Sequence, residues 1–337
     1  MIDLTEISIS FLNNSATLFL GTGFSKFLTN GNAPSWSDLL YECAIAIDPQ
    51  KNLADSLFYI DENKVTKSKE FDLLTCAQII EVEFKKENKS IRKEIVDIIL
   101  KKSNKSNINQ DNLSKIKDFF ACYPRANIVT TNYDDLLEKY VFENNATSFF
   151  DGKVIPNQKK DINIYHIHGS IINPNSIILT LEDYYQFQNK DSYLSKKFFT
   201  LLHENTTCIL GYSLGDFNLN SILNDVKNSR LESFRKNHTI YISRDKLKSN
   251  IKKFYEYTYD IKVMDLLEIS EFFTLLIDKK SEAQSLISSA DKIKSVLDGS
   301  AVFKDTYLKL QNSFIEILNR AIILGININD SSFALEN

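Results

Sequence analysis

Four apolar runs in this sequence end in residues that can bind or react with a small polar ligand. Two of them end at Gly21-Thr22-Gly23-Phe24-Ser25 and at Thr130-Thr131-Asn132-Tyr133-Asp134. The others end at His168-Gly169-Ser170 and at Gly211-Tyr212-Ser213-Leu214-Gly215-Asp216. Glycine allows close backbone approach, amides and hydroxyls orient a ribose or a water, and an imidazole can accept a proton. Together these groups predict a nucleotide-sized site.

The apolar runs predict the elements that carry these groups. We expect strands at about 15–20, 127–131, 162–167, 177–180, 207–210, 239–243 and 260–264. Short β-rich runs separated by helical spacing are typical of a Rossmann-like α/β fold with a mostly parallel sheet and helices on both faces. In open sheets of this kind, ligands bind beyond the carboxyl ends of the strands. The four motifs are therefore expected to meet at one edge of the sheet.

Residues between the first and second predicted strands have the spacing of helices. We expect a helical insertion at about 37–120, without a strand, and an exposed loop at Lys101–Asn112. Ser35 or Ser37 is expected to cap the first helix of the insertion. The predicted catalytic domain covers residues 1–280, and a C-terminal helical extension covers 281–337, with its clearer helix between Phe303 and Ala321.

Each motif also has a plain structural interpretation. The first glycine turn lacks the third glycine of a dinucleotide fingerprint, because Lys26 stands there, so an ordinary strand-to-helix turn is equally compatible. Asn132 or Asp134 is also suited to capping a following helix. His166 and His168 are compatible with half of a metal site, or with a general base at His168 and a histidine packed behind the sheet.

The fourth motif also has a plain interpretation, a turn followed by a helix capped by Asp216.

Composition excludes several classes of protein. With 337 residues, 43% hydrophobic and 25% charged, the chain has the composition of a globular protein. A net charge of −4 gives no support to a nucleic-acid-binding surface. Cys43, Cys76, Cys122 and Cys208 are widely spaced, which argues against a zinc module or a disulfide framework. Without a signal peptide or a membrane-spanning run, we expect a cytoplasmic protein that does not bind membranes.

The ordered combination of motifs carries more information than any one of them. G-T-G-x-S, T-T-N-Y-D, H-G and G-Y-S-x-G-D in this order closely resemble the sirtuin-like superfamily. They are most similar to the SIR2-like NAD-cleaving domains of bacterial anti-phage defence systems. The runs Pro34-x-Trp36-x-x-Leu39 and Thr180–Tyr184 share this resemblance, which extends from about residue 15 to about 270.

The resemblance implies roles for individual residues. It makes Asn132 and His168 the catalytic residues, with Asn132 ordering the attacking water and the nicotinamide ribose. The residues that it places around NAD⁺ are Gly21, Thr22, Gly23, Ser25, Asp134, Gly211, Ser213 and Asp216. NAD⁺ is then a substrate, and no metal is expected.

The expected activity is cleavage of the bond between nicotinamide and ribose to give ADP-ribose and nicotinamide. The chain would then act as a defence effector that depletes NAD⁺. Such an enzyme must be restrained, so we expect gating by homo-oligomerisation, by a partner protein from the same operon or by an infection signal. The C-terminal helices either serve that assembly or cover the core.

Three alternatives stay open at this point. The first is a non-catalytic module that senses NAD or an ADP-ribose derivative. The second is an NAD-dependent protein deacylase, which the absence of a paired-cysteine zinc module puts in doubt. The third is a metal hydrolase that uses His166 and His168.

Overall fold

The computed structural model describes residues 3–61, 64–155, 160–189, 192–214, 217–229 and 238–297. The strands of the described residues are β1 Ala16–Leu20, β2 Phe58–Asp61, β3 Lys64–Ser68, β4 Ala126–Thr130, β5 Thr147–Phe149, β6 Ile162–His166, β7 Thr206–Leu210, β8 Thr239–Ser243 and β9 Ile261–Asp265. Their helices are α1 Leu4–Leu12, α2 Thr22–Leu28, α3 Trp36–Ile47, α4 Asn52–Leu57, α5 Leu73–Lys86, α6 Ile91–Lys102, α7 Gln110–Cys122, α8 Leu181–Asn189, α9 Tyr193–Glu204, α10 Phe217–Ser229, α11 Ser249–Tyr259 and α12 Ile269–Leu297.

The central sheet has the strand order β5-β6-β4-β1-β7-β8-β9, and all its neighbouring strands are parallel. From β1, the strands β4, β6 and β5 extend the sheet in one direction, and β7, β8 and β9 extend it in the other. The direction in which strands are added therefore reverses between β1 and β7, and a crevice for a ligand is expected between their carboxyl ends. This confirms the predicted Rossmann-like α/β fold.

Both faces of the sheet are covered, which explains why the central strands are apolar throughout. All five residues of β1 are buried. Leu18 packs in a core that includes Phe11 of α1, Phe119 of α7 and residues of α12. Phe19 points to the other face and lies in a core with Phe198 of α9. Helices on both faces are thus confirmed.

The insertion between β1 and β4 forms a core of its own. Helices α3 to α6 bury Leu40, Cys43, Ala77 and Ile95 there. Ser35 caps α3, accepting a hydrogen bond from the main-chain nitrogen of Asp38, while the Asp38 carboxylate accepts one from the Ser35 nitrogen. Of the two serines considered, Ser35 is therefore the cap.

Three local predictions were wrong. Residues 177–180 form no strand: Ile177 and Leu179 are buried because they pack into the core of the insertion. The insertion contains an antiparallel hairpin of β2 and β3, where no strand was expected. The predicted loop at 101–112 is shorter than expected, since α6 runs to Lys102 and α7 begins at Gln110.

The predicted C-terminal extension begins within α12, a continuous helix that crosses residue 280. Ala283 and Leu286 of α12 pack against Ile9 of α1. The predicted helix between Phe303 and Ala321 lies outside the described residues. No helix in the described ranges combines the length and apolarity needed to cross a membrane.

Candidate active site

The crevice between β1 and β7 is formed by two glycine turns in direct contact. The Gly21 nitrogen donates to the Leu210 oxygen at 3.0 Å, and the Gly23 nitrogen donates to the Gly211 oxygen at 2.7 Å. A Cβ atom on Gly21 would lie 2.5 Å from the Gly211 oxygen, and one on Gly23 would lie 2.7 Å from the Gly211 Cα. Gly211 has φ +63°, a backbone conformation that favours glycine. Glycine is therefore required where these two turns meet.

A cleft of about 1250 Å³ opens beside this crevice. The predicted site residues that line it are Thr22, Gly23, Asn132, Asp134, His168, Gly211 and Ser213. Gly21 and Ser25 are buried next to the lining residues, whereas Asp216 lies outside the described residues. Motifs from β1, β4, β6 and β7 therefore meet at one cleft, as the topology of the sheet predicts.

Asn132 follows β4 and is held through both its main chain and its side chain. Its main-chain nitrogen donates to Thr130 Oγ1 at 3.0 Å. Its Nδ2 donates to the Gly21 oxygen at 2.9 Å and to Ser25 Oγ at 2.8 Å. These two bonds fix which way the amide faces. Its Oδ1 is buried and has no hydrogen-bond partner among the described residues, so it can accept a hydrogen bond from a ligand or a water.

Asp134 lies beside Asn132 and is joined to it through Ser25. Ser25 Oγ donates to Asp134 Oδ2 at 2.7 Å, and the Leu136 nitrogen lies 3.3 Å from Asp134 Oδ1. The carboxylate thus lies in the site cluster and accepts a hydrogen bond from a main-chain nitrogen two residues later, but it does not cap the helical turn that begins at Leu137. Its predicted role in binding NAD⁺ stays a prediction. Burial raises the pKa of Asp134 to about 6, although the bond from Ser25 favours ionisation.

His168 stands two residues beyond β6, before a turn at Gly169 with φ +90°. Its side chain is buried against two aromatic rings of α8, with ring centroids 5.5 Å from Tyr184 and 6.0 Å from Phe187. Tyr184 also stacks with Trp36 of α3, at 6.4 Å between centroids. Aromatic rings from the insertion and from α8 thus form the wall of the cleft around the imidazole.

His166 has a different environment, although it lies only two residues away. It is 1% exposed, and its Nδ1 and Nε2 lie 3.0 Å from the Asn132 main-chain oxygen and 2.7 Å from Glu138 Oε1. Both ring nitrogens are therefore engaged, which argues against a metal site shared with His168. His166 is thus a buried residue at the end of β6, in agreement with the interpretation that it packs in or behind the sheet. Within the described ranges, no group of three or more His, Cys, Asp or Glu side chains could hold a metal ion.

A charged cluster that was not predicted supports α8, the helix whose aromatic rings pack against His168. Arg92 of α6 donates to both carboxylate oxygens of Asp183 at 2.7 and 2.6 Å, and to Glu81 of α5 at 2.6 Å. Asp183 Oδ2 also accepts from the nitrogens of Leu179 and Thr180, each at 2.9 Å. The cluster fastens the start of α8 to the insertion. Since 91 residues separate Arg92 from Asp183, no local pattern could have predicted it.

Residues at the end of β8 also line the cleft and were not predicted. Ser243 is the last residue of β8, the strand next to β7, and Arg244 and Asp245 follow it. Tyr241 of β8 donates from its hydroxyl to the Tyr212 oxygen at 2.8 Å, which ties this strand end to the second glycine turn. The position of Ser243, Arg244 and Asp245 at the end of a predicted strand was the signal that could have identified them as site residues.

The sheet order, the glycine crevice at its switch point and the large cleft define a Rossmann-like α/β domain with a cleft at the carboxyl ends of its strands. Comparison with protein families narrows this class, because residues 126–264 match the family model described as a SIR2-like domain. This part of the chain is therefore similar to SIR2-like domains. The matched region includes Asn132, His168 and Gly211, whereas the first glycine turn precedes it.

Three curated proteins are similar to this chain. It is 25% identical over 333 residues to "NAD(+) hydrolase ThsA" of Bacillus cereus (strain MSX-D12), which covers 95% of this chain and 64% of that protein. It is 27% identical over 307 residues to "NAD(+) hydrolase ThsA" of Enterococcus faecium, with 86% and 58% covered. "Defense-associated sirtuin 2" of Bacillus subtilis is 22% identical over 197 residues, with 56% and 19% covered. The chain thus spans about three fifths of the length of the two hydrolases.

Proposed function

We propose that this protein hydrolyses NAD⁺ at the bond between nicotinamide and ribose. The observation that carries the proposal is the Asn132 amide. Its Nδ2 is held by Gly21 and Ser25, and its Oδ1 remains as a buried acceptor in a residue that lines the cleft. An acceptor fixed in this way suits a ribose hydroxyl or an attacking water. The similarity to proteins named NAD(+) hydrolase supports the same substrate.

The proposed reaction needs only water as its second reactant. The water oxygen bonds to C1′ of the ribose while the C1′–nitrogen bond breaks, through an oxocarbenium-like transition state. The bonding electron pair stays with nicotinamide and neutralises its cationic ring. His168 accepts the proton that the water loses and releases it to solvent, and Asn132 orients the water or the ribose. The products are ADP-ribose and nicotinamide.

The remaining cleft residues suit the other parts of the dinucleotide. Gly23 and Gly211 line the cleft, and residues without a side chain let a pyrophosphate group approach the backbone closely. We place the adenosine side near Ser213 and Asp216, and we assign Ser25 and Asp134 to holding Asn132. A cleft of about 1250 Å³ is large enough for a dinucleotide.

Product analysis with matched variants tests the proposal. The full chain is incubated with NAD⁺, and nicotinamide and ADP-ribose are quantified by chromatography. His168→Ala and Asn132→Ala should each lower turnover at least about 100-fold, because the two groups act on the same step. His203→Ala is the control, since His203 lies on α9 and bonds Ser229 at 2.7 Å outside the cleft. Near-normal turnover by His168→Ala would overturn the assigned role.

The same assay separates the alternatives. If NAD⁺ binds but neither product forms under any condition, the chain is a sensing module. If nicotinamide is released only with an acetylated peptide, it is a protein deacylase. Dependence of turnover on added zinc would support metal chemistry.

We further propose that this activity depletes NAD⁺ as a cytoplasmic defence response, and that assembly or a signal gates it. The similarity to a protein named as a defence-associated sirtuin supports the role in defence. The argument for gating is that unrestrained NAD⁺ cleavage would be toxic to the cell that makes the enzyme. The segment from Phe24 to Trp36 is a candidate gate, and its residues Asn30, Gly31 and Pro34 line the cleft. The full chain alone should turn over NAD⁺ slowly, and faster as a homo-oligomer or with its partner protein. Equal activity in all samples would contradict gating by assembly.

A further inference from the structure

A buried acid–imidazole pair lies directly behind Asn132 and has no part in the reaction proposed above. His166 closes β6, and its partner Glu138 lies in a π-helical turn at Leu137–Val141. The two side chains are 1% and 9% exposed, and His166 Nε2 lies 2.7 Å from Glu138 Oε1. π-Helical turns are rare in proteins, and those that do occur frequently lie at functional sites. This turn places a charged group where an ordinary apolar helix face would be expected.

The hydrogen bonds of the pair determine where its protons lie. A main-chain carbonyl can only accept, so Nδ1 of His166 must carry the hydrogen that reaches the Asn132 oxygen at 3.0 Å. On the other side, Glu138 Oε1 also accepts from Ser148 Oγ of β5 at 2.6 Å. One further proton lies between Nε2 and Oε1. With that proton on the ring, the pair is an imidazolium facing a carboxylate.

The surrounding charges favour this ionised form. Burial alone would lower the pKa of His166, but the Glu138 carboxylate, the hydrogen bond to Asn132 and the Asp134 carboxylate together raise it. Burial alone would raise the pKa of Glu138, but the imidazole of His166 and the hydrogen bonds that Glu138 accepts together lower it. Asp134 and Asp135 are the other acidic groups that act on the ring, and both favour its protonation.

The pair connects the main chains of the two proposed catalytic residues. On one side it bonds the carbonyl of Asn132, and on the other it belongs to the strand that leads to His168. The Ile167 nitrogen also donates to the Thr130 oxygen at 3.0 Å, so β4 and β6 remain in register up to this point. A small displacement of either chain would separate the water-orienting amide from the base, and misplacement by about 1 Å can cost a factor of about 100 in rate.

We propose that Glu138 and His166 are positioning residues that fix the Asn132 loop relative to His168 through the hydrogen bond from His166 Nδ1 to the Asn132 carbonyl. This inference rests on the proposed hydrolysis for its kinetic consequence. The pair sets the rate of bond cleavage and leaves NAD⁺ affinity nearly unchanged, because neither side chain lines the cleft.

Two substitutions of His166 separate this role from a merely structural one. In His166→Asn, the amide nitrogen can occupy the position of Nδ1 and still donate to the Asn132 carbonyl. In His166→Gln, the amide reaches toward Glu138 and the bond to Asn132 is lost. We expect kcat to fall about 10- to 100-fold in His166→Gln and KM to change by less than about threefold, with much of the loss rescued in His166→Asn.

A control addresses loss of stability. Thr17→Val removes the buried bond from Asn205 Nδ2 to Thr17 Oγ1, 2.8 Å long, at the start of β1 and away from the cleft. It should lower the melting temperature without lowering kcat. Equal kcat in His166→Asn and His166→Gln would overturn the proposal. It would also be overturned if Thr17→Val and His166→Gln had the same melting temperature and the same loss of kcat.

Imidazole NMR tests the pair without relying on turnover, and the chain has only four histidines to assign. The wild-type protein should show two ring N–H signals from His166 at pH 7, and Glu138→Gln should retain only the Nδ1–H signal. A single signal in the wild-type protein would overturn the ionised pair. If the wild-type protein cleaves no NAD⁺, the proposed function fails, and hydrogen exchange of the amides at 132–136 becomes the readout. Exchange that is no faster in His166→Gln than in His166→Asn would then overturn the positioning role.

Discussion

The contact between the two glycine turns makes a sharp prediction for Gly211→Ala. At φ +63°, a Cβ atom at this position would meet the Phe24 nitrogen and would lie 2.8 Å from the Gly23 carbonyl carbon. Both obstacles are backbone atoms, so no side-chain rotation relieves the contact. The turns must move apart, and the bond from the Gly23 nitrogen to the Gly211 oxygen is the first to lengthen. We expect a less stable protein with a widened crevice.

The magnitude follows by comparison with Gly31→Ala. Gly31 also has positive φ, +83°, but a Cβ atom there meets nothing within 4 Å. Both variants bear the cost of about 1–2 kcal/mol for alanine in the left-handed region, less the gain of about 0.4–1 kcal/mol from a stiffer unfolded chain. Only Gly211→Ala adds overpacking of about 1–3 kcal/mol and a weakened hydrogen bond of about 1 kcal/mol. It should therefore be about 2–4 kcal/mol less stable than Gly31→Ala.

Urea unfolding followed by circular dichroism gives the two free energies of unfolding, and calorimetry gives NAD⁺ affinity. Gly211→Ala should bind NAD⁺ more weakly than the wild-type protein, whereas Gly31→Ala, a change at a residue that itself lines the cleft, is the control for stability alone. The reasoning about close backbone approach would be refuted if the two variants had equal stability and Gly211→Ala bound NAD⁺ with the wild-type affinity.

Two further predictions concern charged groups. Arg92→Met removes the shared partner of two largely buried carboxylates and should cost about 3 kcal/mol of unfolding free energy, whereas Lys279→Met, which removes an exposed pair, should leave the free energy of unfolding nearly unchanged. The second concerns Asp134, whose pKa is raised from 3.8 to about 6 in the folded protein. The folded protein therefore binds this proton more tightly than the unfolded chain does. The resulting stabilisation is fully present below pH 3.8 and is lost as the pH rises through about 6. The free energy of unfolding of the wild-type protein relative to Asp134→Asn should therefore fall across this interval, and a constant difference would contradict the raised pKa.

The sequence predicted those parts of the fold in which local pattern and tertiary environment agree. Strands such as β1 and β7 are mostly apolar and are followed by glycine. Their positions in the chain, and the edge of the sheet where both end, could therefore be predicted from the local sequence. The run at 177–180 has the same apolar character, but its burial comes from helices about 80 to 100 residues earlier in the chain. By contrast, β5 is a three-residue edge strand whose sequence, Thr-Ser-Phe, carries almost no periodic signal.

Site residues, too, could be predicted only where the local sequence indicates their environment. Asn132 and His168 were identifiable because each follows a strand, and the structure brings both to the cleft. Their catalytic roles stay predictions. Glu138 was missed, although a charged residue between Leu137 and Val141 was a weak signal that its side chain needs a buried partner. For Arg92 no signal existed, since its partners meet it only through the docking of the insertion.

The central position of β1 has a consequence for synthesis of the protein. Its neighbours β4 and β7 begin at residues 126 and 206, so this fully buried strand has no partner when it leaves the ribosome. At about 5–20 residues per second, the wait for β4 is roughly 5–20 s, during which an apolar segment is open to misassociation or to a chaperone. The crevice needs Gly211 as its second wall, so no nascent chain can form the nucleotide site until nearly two thirds of the sequence has been made.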